Sequence, residues 1–169
     1  MTKLNIGCGE DYRDGYINID GSEYISRVDK IIKLDEESLL AHFTAGSIDF
    51  ILANDIIEHL FRWEAIRVLN EFYELLVSGG RVELKLPDTG NIISSVDLSV
   101  EQKMIMLFGG QDVSGEGDRM RESRKNNPNF FCHKYGWDRN RATKELTSIG
   151  FRNIKITDEY TSIIVQATK

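Results

Sequence analysis

The sequence has little cysteine, no long apolar run and no excess of positive charge, and each shortage removes a class of protein. Its two cysteines, Cys8 and Cys132, stand at no metal-ligand spacing. So sparse a use of cysteine suits a reducing, cytoplasmic compartment. No apolar run approaches the roughly 20 residues that a membrane span needs, so no membrane partner is expected. Met1-Thr2-Lys3 runs straight into the first strand pattern, so no signal or transit peptide is expected. The net charge of −6 argues against a nucleic-acid backbone as the main partner, because phosphate binding needs a basic face. A local basic cluster, R-M-R-E-S-R-K at 119–125, reads as a solvated loop. There is no internal repeat. What remains is 169 residues, 41% hydrophobic and 28% charged, which is one soluble globular domain with room for a core.

The chain is organised around residues 3–20, K-L-N-I-G-C-G-E-D-Y-R-D-G-Y-I-N-I-D. Leu4-Asn5-Ile6 has the character of a buried strand, and Gly7-Cys8-Gly9 follows at once. Glycines placed directly after a strand let the backbone come close to a ligand. Tyr16-Ile17-Asn18-Ile19 reads as a second strand with Asp20 at its C-terminal end. In doubly wound folds an acidic side chain there accepts both hydroxyls of a ribose. A lone G-x-G is equally well a tight turn without a ligand, so the rest of the chain has to decide.

The same pattern recurs. Gly21-Ser22-Glu23-Tyr24 is a turn, and Lys30-Ile31-Ile32-Lys33-Leu34 is a third strand, followed by Asp35 and Glu36. A short helix is expected over 36–43, stopped by Gly46. Ile48-Asp49-Phe50-Ile51-Leu52-Ala53 is nearly continuous in apolar residues, as in a central parallel strand, and Asn54-Asp55 end it. A helix follows over 63–76, its broad apolar stripe carried by Ile66, Leu69, Tyr73 and Leu76, with Ser78-Gly79-Gly80 as its stop. Arg81-Val82-Glu83-Leu84-Lys85-Leu86 alternates as a fifth strand before Pro87-Asp88. Strands alternating with helices predict an α/β fold with a mainly parallel sheet, and in such sheets ligands bind outside the carboxyl ends of the strands. Gly7, Gly9, Asp20, Asp35, Asn54 and Asp88 all fall there.

Ser99-Val100-Glu101-Gln102 resembles a capping box, which predicts a helix over 99–108 ended by Gly109-Gly110. Residues 111–130 are polar and read as a mobile loop, and one so long is often a lid. A last helix is expected over 137–149, capped by Gly150. Strands at 153–156 and 162–167 are separated by five residues, too few for a parallel crossover, so this pair is antiparallel.

On these motifs the sequence resembles the class I S-adenosylmethionine-dependent methyltransferases of the small, type 11-like kind. The matching pieces are L-N-I-G-C-G at 4–9, I-N-I-D at 17–20, I-D-F-I-L-A-N-D-I-I-E-H-L at 48–60 and L-L-V-S-G-G-R-V-E-L-K-L-P-D at 75–88. H-K-Y-G-W-D at 133–138 and L-T-S-I-G-F at 146–151 complete the set. The resemblance implies a Rossmann-like, doubly wound, mostly parallel seven-stranded sheet with an antiparallel last strand. It implies one domain over 1–169, with a helix and mobile lid inserted at 88–132. It also implies S-adenosylmethionine as cofactor. Gly7, Cys8 and Gly9 would lie against the methionine moiety, and Asp20, with Gly21 beside it, would hold the ribose. Asp35 and Glu36 would frame the adenine amino group, and Asn54 would face the methionyl end. Asn5 and Asp11 stand where the family has an acidic residue and a third glycine. Only Gly7 to Gly15 are available for the helix that usually joins the first two strands, so a single helical turn is expected there. The helices that usually precede the first strand are missing, which leaves the pocket open or completed by a second subunit of a homodimer.

Methyl transfer from a sulfonium is an in-line displacement, so the protein mainly aligns donor and acceptor. If the acceptor must lose a proton, His59 is the first candidate base and His133 the second. Each is equally a backbone-bonded histidine. Tyr135 and Trp137 read as staples for the last helix, and Cys8 as a small packing residue. The expected function is methylation of a small-molecule or sugar-type acceptor. The alternatives are a non-catalytic cofactor-binding partner subunit, or another Rossmann enzyme such as an NAD dehydrogenase; against the last, no G-x-G-x-x-G opens a helix.

Overall fold

Seven strands form one sheet in the computed structural model of the chain, which describes residues 1–109 and 117–169. They are β1 (Lys3–Ile6), β2 (Ile17–Asp20), β3 (Lys30–Ile31), β4 (Ile48–Asn54), β5 (Leu76–Pro87), β6 (Arg152–Glu159) and β7 (Ser162–Thr168). Their spatial order is β3-β2-β1-β4-β5-β7-β6. The first five are parallel, and β7 lies antiparallel between β5 and β6. The strand order turns back between β1 and β4, and at such a switch point a crevice opens beyond the carboxyl ends.

The central strands are apolar because both faces are covered. Leu4 and Ile6 of β1, and Ile51, Leu52 and Ala53 of β4, are fully buried. Helix α1 (Arg62–Leu75) lays Ala65, Val68, Leu69, Phe72 and Leu75 into the core. Its first turn is closed by the Glu64 carboxylate, which accepts from the Phe61 N–H at 2.9 Å. On the same helix Glu71 accepts from the Leu39 N–H at 2.8 Å and from Arg67 at 2.7 Å. Arg67 also donates to the Leu34 carbonyl, so the loop carrying Asp35 is tied to α1.

Several elements differ from the sequence reading, among them β3, which is two residues long where a strand was expected over 30–34. Ser78-Gly79-Gly80 is not the stop of α1, which ends at Leu75. The chain passes from α1 directly into β5, and the glycines sit in a bulge where Leu76 pairs with Ile48 but Arg81 pairs with Phe50. The helix expected over 36–43 shrinks to one 3₁₀ turn, Leu39–Ala41, with Ser38 as its cap. Asp88 caps an unpredicted helix, α2 (Thr89–Ser94), and also accepts from the Arg139 N–H at 3.1 Å, so its carboxylate is structural. Helix α3 (Val100–Phe108) has the predicted capping box. After it come α4 (Asp118–Asn126) and α5 (Pro128–Phe131), where irregular chain was expected. The predicted lid segment 110–131 lies partly outside the described residues. Helix α6 (Arg139–Ile149) ends on Gly150 as predicted.

No helix joins β1 to β2. Turns fill the space, pinned by two buried asparagines. Asn5 donates to the Asp11 carbonyl at 2.8 Å and to Asn18 Oδ1 at 3.0 Å. Asn18 Oδ1 also accepts from the Arg13 N–H, and its amide donates to the carbonyls of Arg13 and Tyr16. A carboxylate at position 5 has no hydrogen to donate to those acceptors, which accounts for asparagine there.

Candidate active site

A cavity of about 320 Å³ opens at the carboxyl ends of β1, β2 and β4. That is within the range of small-molecule sites. Gly7 and Gly9 line one side, and Ile19, Asp20 and Gly21 another, with Ile25, Ile32, Leu34 and Asp35 below. Asp55, Ile56, His59, Leu60, His133 and Lys134 form the far wall, and Arg124, Phe130 and Phe131 of α4–α5 close over it. Of the predicted site residues, seven meet here: Gly7, Gly9, Asp20, Gly21, Asp35, His59 and His133. Cys8, Glu36 and Asn54 do not line the cavity. Cys8 is buried in the core, and burial next to Asp20 pushes its thiol up to about 12. Glu36 stands in an adjoining polar groove with an exposed ion pair to Lys33 at 3.4 Å. At the end of β4 it is Asp55, in a left-handed conformation (φ 52°), that faces the opening in place of Asn54.

Asp20 organises the near wall. It is 6% exposed. Its Oδ2 accepts from the Gly9 N–H at 2.8 Å and its Oδ1 from the Ser22 N–H at 2.9 Å. Burial raises its pKa above the ordinary carboxylate value, and those amide bonds pull the other way. Each oxygen keeps a lone pair for a further donor. Gly7 (φ 67°) is required for a packing reason as well: a β-carbon there would fall inside the Ile56 side chain.

The cover is fitted to the same wall. A β-carbon at Gly21 would stand 2.7 Å from the Phe130 ring. Ser22 and Ser123 share a buried hydroxyl–hydroxyl bond of 2.7 Å, and Asn126 donates to the Tyr24 hydroxyl at 3.0 Å. Arg124 stacks on Phe131 at 4.6 Å.

The far wall brings the two predicted histidines together. Their ring centroids are 4.9 Å apart, edge to face. His59 Nδ1 bonds the Cys132 carbonyl at 3.3 Å, so it carries the hydrogen and Nε2 keeps its lone pair. Burial, with His133 second, lowers the His59 pKa to about 4, and burial lowers that of His133. Both rings are neutral at pH 7. The sequence reading passed over Glu58. It is 2% exposed, neither of its carboxylate oxygens has a hydrogen-bond partner, and its Oε1 lies 4.0 Å from His133 Nε2. Burial drives its pKa well up, so this approach is not an ion pair of charged groups. Tyr135 and Trp137 stack edge to face at 5.7 Å with Trp137 buried, in the stapling role expected.

Such a sheet, with its crevice at the switch point, defines the class I methyltransferase fold, Rossmann-like with an antiparallel seventh strand. Solved structures bear this out. A SAM-dependent methyltransferase from Archaeoglobus fulgidus superposes with a TM-score of 0.67 at 14% identity, over 99% of this chain and 86% of that one. One from Mesorhizobium loti gives 0.64 at 12%, over 99% and 90%. Phosphoethanolamine N-methyltransferase 2 of Haemonchus contortus, solved with S-adenosyl-L-methionine, gives 0.62 at 13%; this chain spans 48% of it. No protein-family model and no curated protein sequence matches the chain. Among the described residues no helix is long and apolar enough to cross a membrane.

Proposed function

We propose that the chain binds S-adenosylmethionine in this cavity and transfers a methyl group from it to a small-molecule acceptor, of which a sugar is one class. The observation that carries this reading is the buried Asp20 carboxylate, pinned by two amides at the end of β2 with lone pairs to spare. Beside it Ile25, Ile32 and Leu34 offer an apolar bed for a base, and Asp35 an acceptor at its edge. That donor and acceptor set suits a nucleoside. S-adenosylmethionine, when bound, supplies a methyl group on a sulfonium whose loss leaves a neutral thioether.

The chain's own tasks are then to orient, to exclude water and to manage a proton. His59 and His133 are neutral and lie in one wall, and either one is the group that would take a proton from an acceptor hydroxyl or amine; burial lowers His59 to about 4 and so makes it a weak base. Helices α4 and α5 act as a cover that loosens for ligand exchange and closes by the Ser22–Ser123 bond and the Phe130 ring. Thermal-shift titration tests the reading. S-adenosylmethionine at about 100 times its dissociation constant adds roughly 2.7 kcal/mol of stability. A shift with NAD and none with S-adenosylmethionine overturns it.

A further inference from the structure

We infer that Glu58, His59 and His133 bind one divalent transition-metal ion at the inner end of the cavity, leaving an open coordination position towards the acceptor. One carboxylate oxygen and one nitrogen of each ring lie within 4.8 Å of one another. Two histidines and a carboxylate form the donor set of divalent zinc, iron, cobalt and manganese sites that keep positions for exogenous ligands.

Three observations point to an ion rather than to chance proximity. Glu58 is buried with both carboxylate oxygens unpartnered, an arrangement that is costly unless a cation or a proton sits on it. His59 uses Nδ1 on the Cys132 carbonyl, the backing bond that metal-bound histidines characteristically make, which frees Nε2. The segment carrying His133 is fixed to the one carrying Glu58 by the Lys134 N–H on the Glu58 carbonyl at 2.8 Å. The three donors therefore arrive on connected backbone. His133 is 15% exposed and lines the cavity, so an ion has a route in.

A tetrahedral ion with bonds of about 2.1 Å holds its donors about 3.4 Å apart, so donors now within 4.8 Å of one another close by up to about 1.4 Å on binding, and Glu58 and His133, at 4.0 Å, by less. Charge nearby is mixed. Asp55 favours a cation, whereas Arg124 and Lys134 oppose it, so binding depends on direct ligation. On this assignment the two imidazoles are ligands, and an acceptor oxygen is held by the ion. That last consequence, unlike the binding itself, rests on the methyl-transfer reading.

The test is titration of the EDTA-stripped chain of residues 1–169 with Co²⁺, followed by visible absorption and calorimetry, with Zn²⁺ as competitor. The expected result is one equivalent of Co²⁺ with d–d bands that Zn²⁺ abolishes. Affinity should fall at least 10-fold in Glu58→Gln, which preserves shape, and in His133→Ala, while the exposed His42→Ala binds as the parent does. Circular dichroism and urea midpoints establish that each variant is folded. No visible band, binding undiminished in folded Glu58→Gln and His133→Ala, or loss of binding in His42→Ala each overturns the assignment. Failure of S-adenosylmethionine to bind leaves the metal result standing, so the two readings fail separately.

Discussion

Asp20 is the residue whose replacement separates ligand binding from fold. In the structure it already accepts two backbone N–H groups, from Gly9 and Ser22. A hydrogen bond to a charged group contributes about 1.5–3 kcal/mol, so the pair is worth roughly 3–6 kcal/mol gross. Against that stands the desolvation of a carboxylate that is 6% exposed, enough to raise its pKa in spite of the bonds. Its release on mutation returns about 1–3 kcal/mol. The net loss of stability in Asp20→Ala is then about 0–5 kcal/mol, centred near 2–3, below the roughly 5–15 kcal/mol of a domain of ordinary stability. Bound ribose adds two more charge-assisted bonds, so affinity should fall by a further ~3–6 kcal/mol, on the order of 100-fold or more. Urea midpoints read the first quantity and calorimetry with S-adenosylhomocysteine reads the second. A folded Asp20→Ala that binds as tightly as the parent would falsify the placement of the ribose.

Four further predictions follow from the geometry. Gly7→Ala should cost about 1–3 kcal/mol of stability because its β-carbon falls inside Ile56, and Ile56→Ala should recover much of that in the double variant; additive losses would refute the clash. At pH 8 a thiol reagent should modify half-buried Cys132 quickly and leave Cys8, whose thiol burial pushes up to about 12, until the protein unfolds; two fast thiols would contradict this. Asp20 has a folded-state pKa raised above its unfolded value, so between the two the folded state holds more protons and its contribution falls as pH rises. The stability of the parent relative to Asp20→Asn should therefore decline from pH 4 upward, as urea midpoints at several pH values will report; a rising difference reverses the sign and sinks the argument. Amides of 121–126 should exchange faster without S-adenosylhomocysteine than with it, and equal protection in both states would remove the covering role of α4.

Much of the fold was legible because its signals are local. The continuous apolar run of β4, the broad stripe of α1, the capping box of α3 and the short spacing before β7, which is a two-residue hairpin in the structure, each dictate one answer at short range. The misreadings came where a long-range partner overrode a local signal. Gly79 and Gly80 look like a helix stop, but β4 pairs with both sides of them and makes them a bulge. The connection between β1 and β2 lacks a helix because Asn5 and Asn18, from neighbouring strands, satisfy its backbone instead. Helices α4 and α5 have too little apolar surface to announce themselves, and they gain their place through Ser123 and Phe130 on the end of β2.

The candidate site divides in the same way. Gly7, Gly9 and Asp20 were readable as cavity-lining residues because they stand at or just beyond the carboxyl ends of β1 and β2. That His59 and His133 face each other was not, since 73 residues separate His59 from the Cys132 carbonyl it bonds. Glu58 had no sequence signal that set it apart from a surface glutamate. Its meaning comes only from burial without a partner, which the fold creates by laying the His133 segment over the Ile57–His59 turn. A carboxylate on a solvated turn is ordinary. The same carboxylate beneath two neutral imidazoles must carry a proton or share a cation, and the Co²⁺ titration tells the two apart: a proton leaves the wall behind Ile56 and Leu60 a packing layer, whereas a cation makes it a binding site.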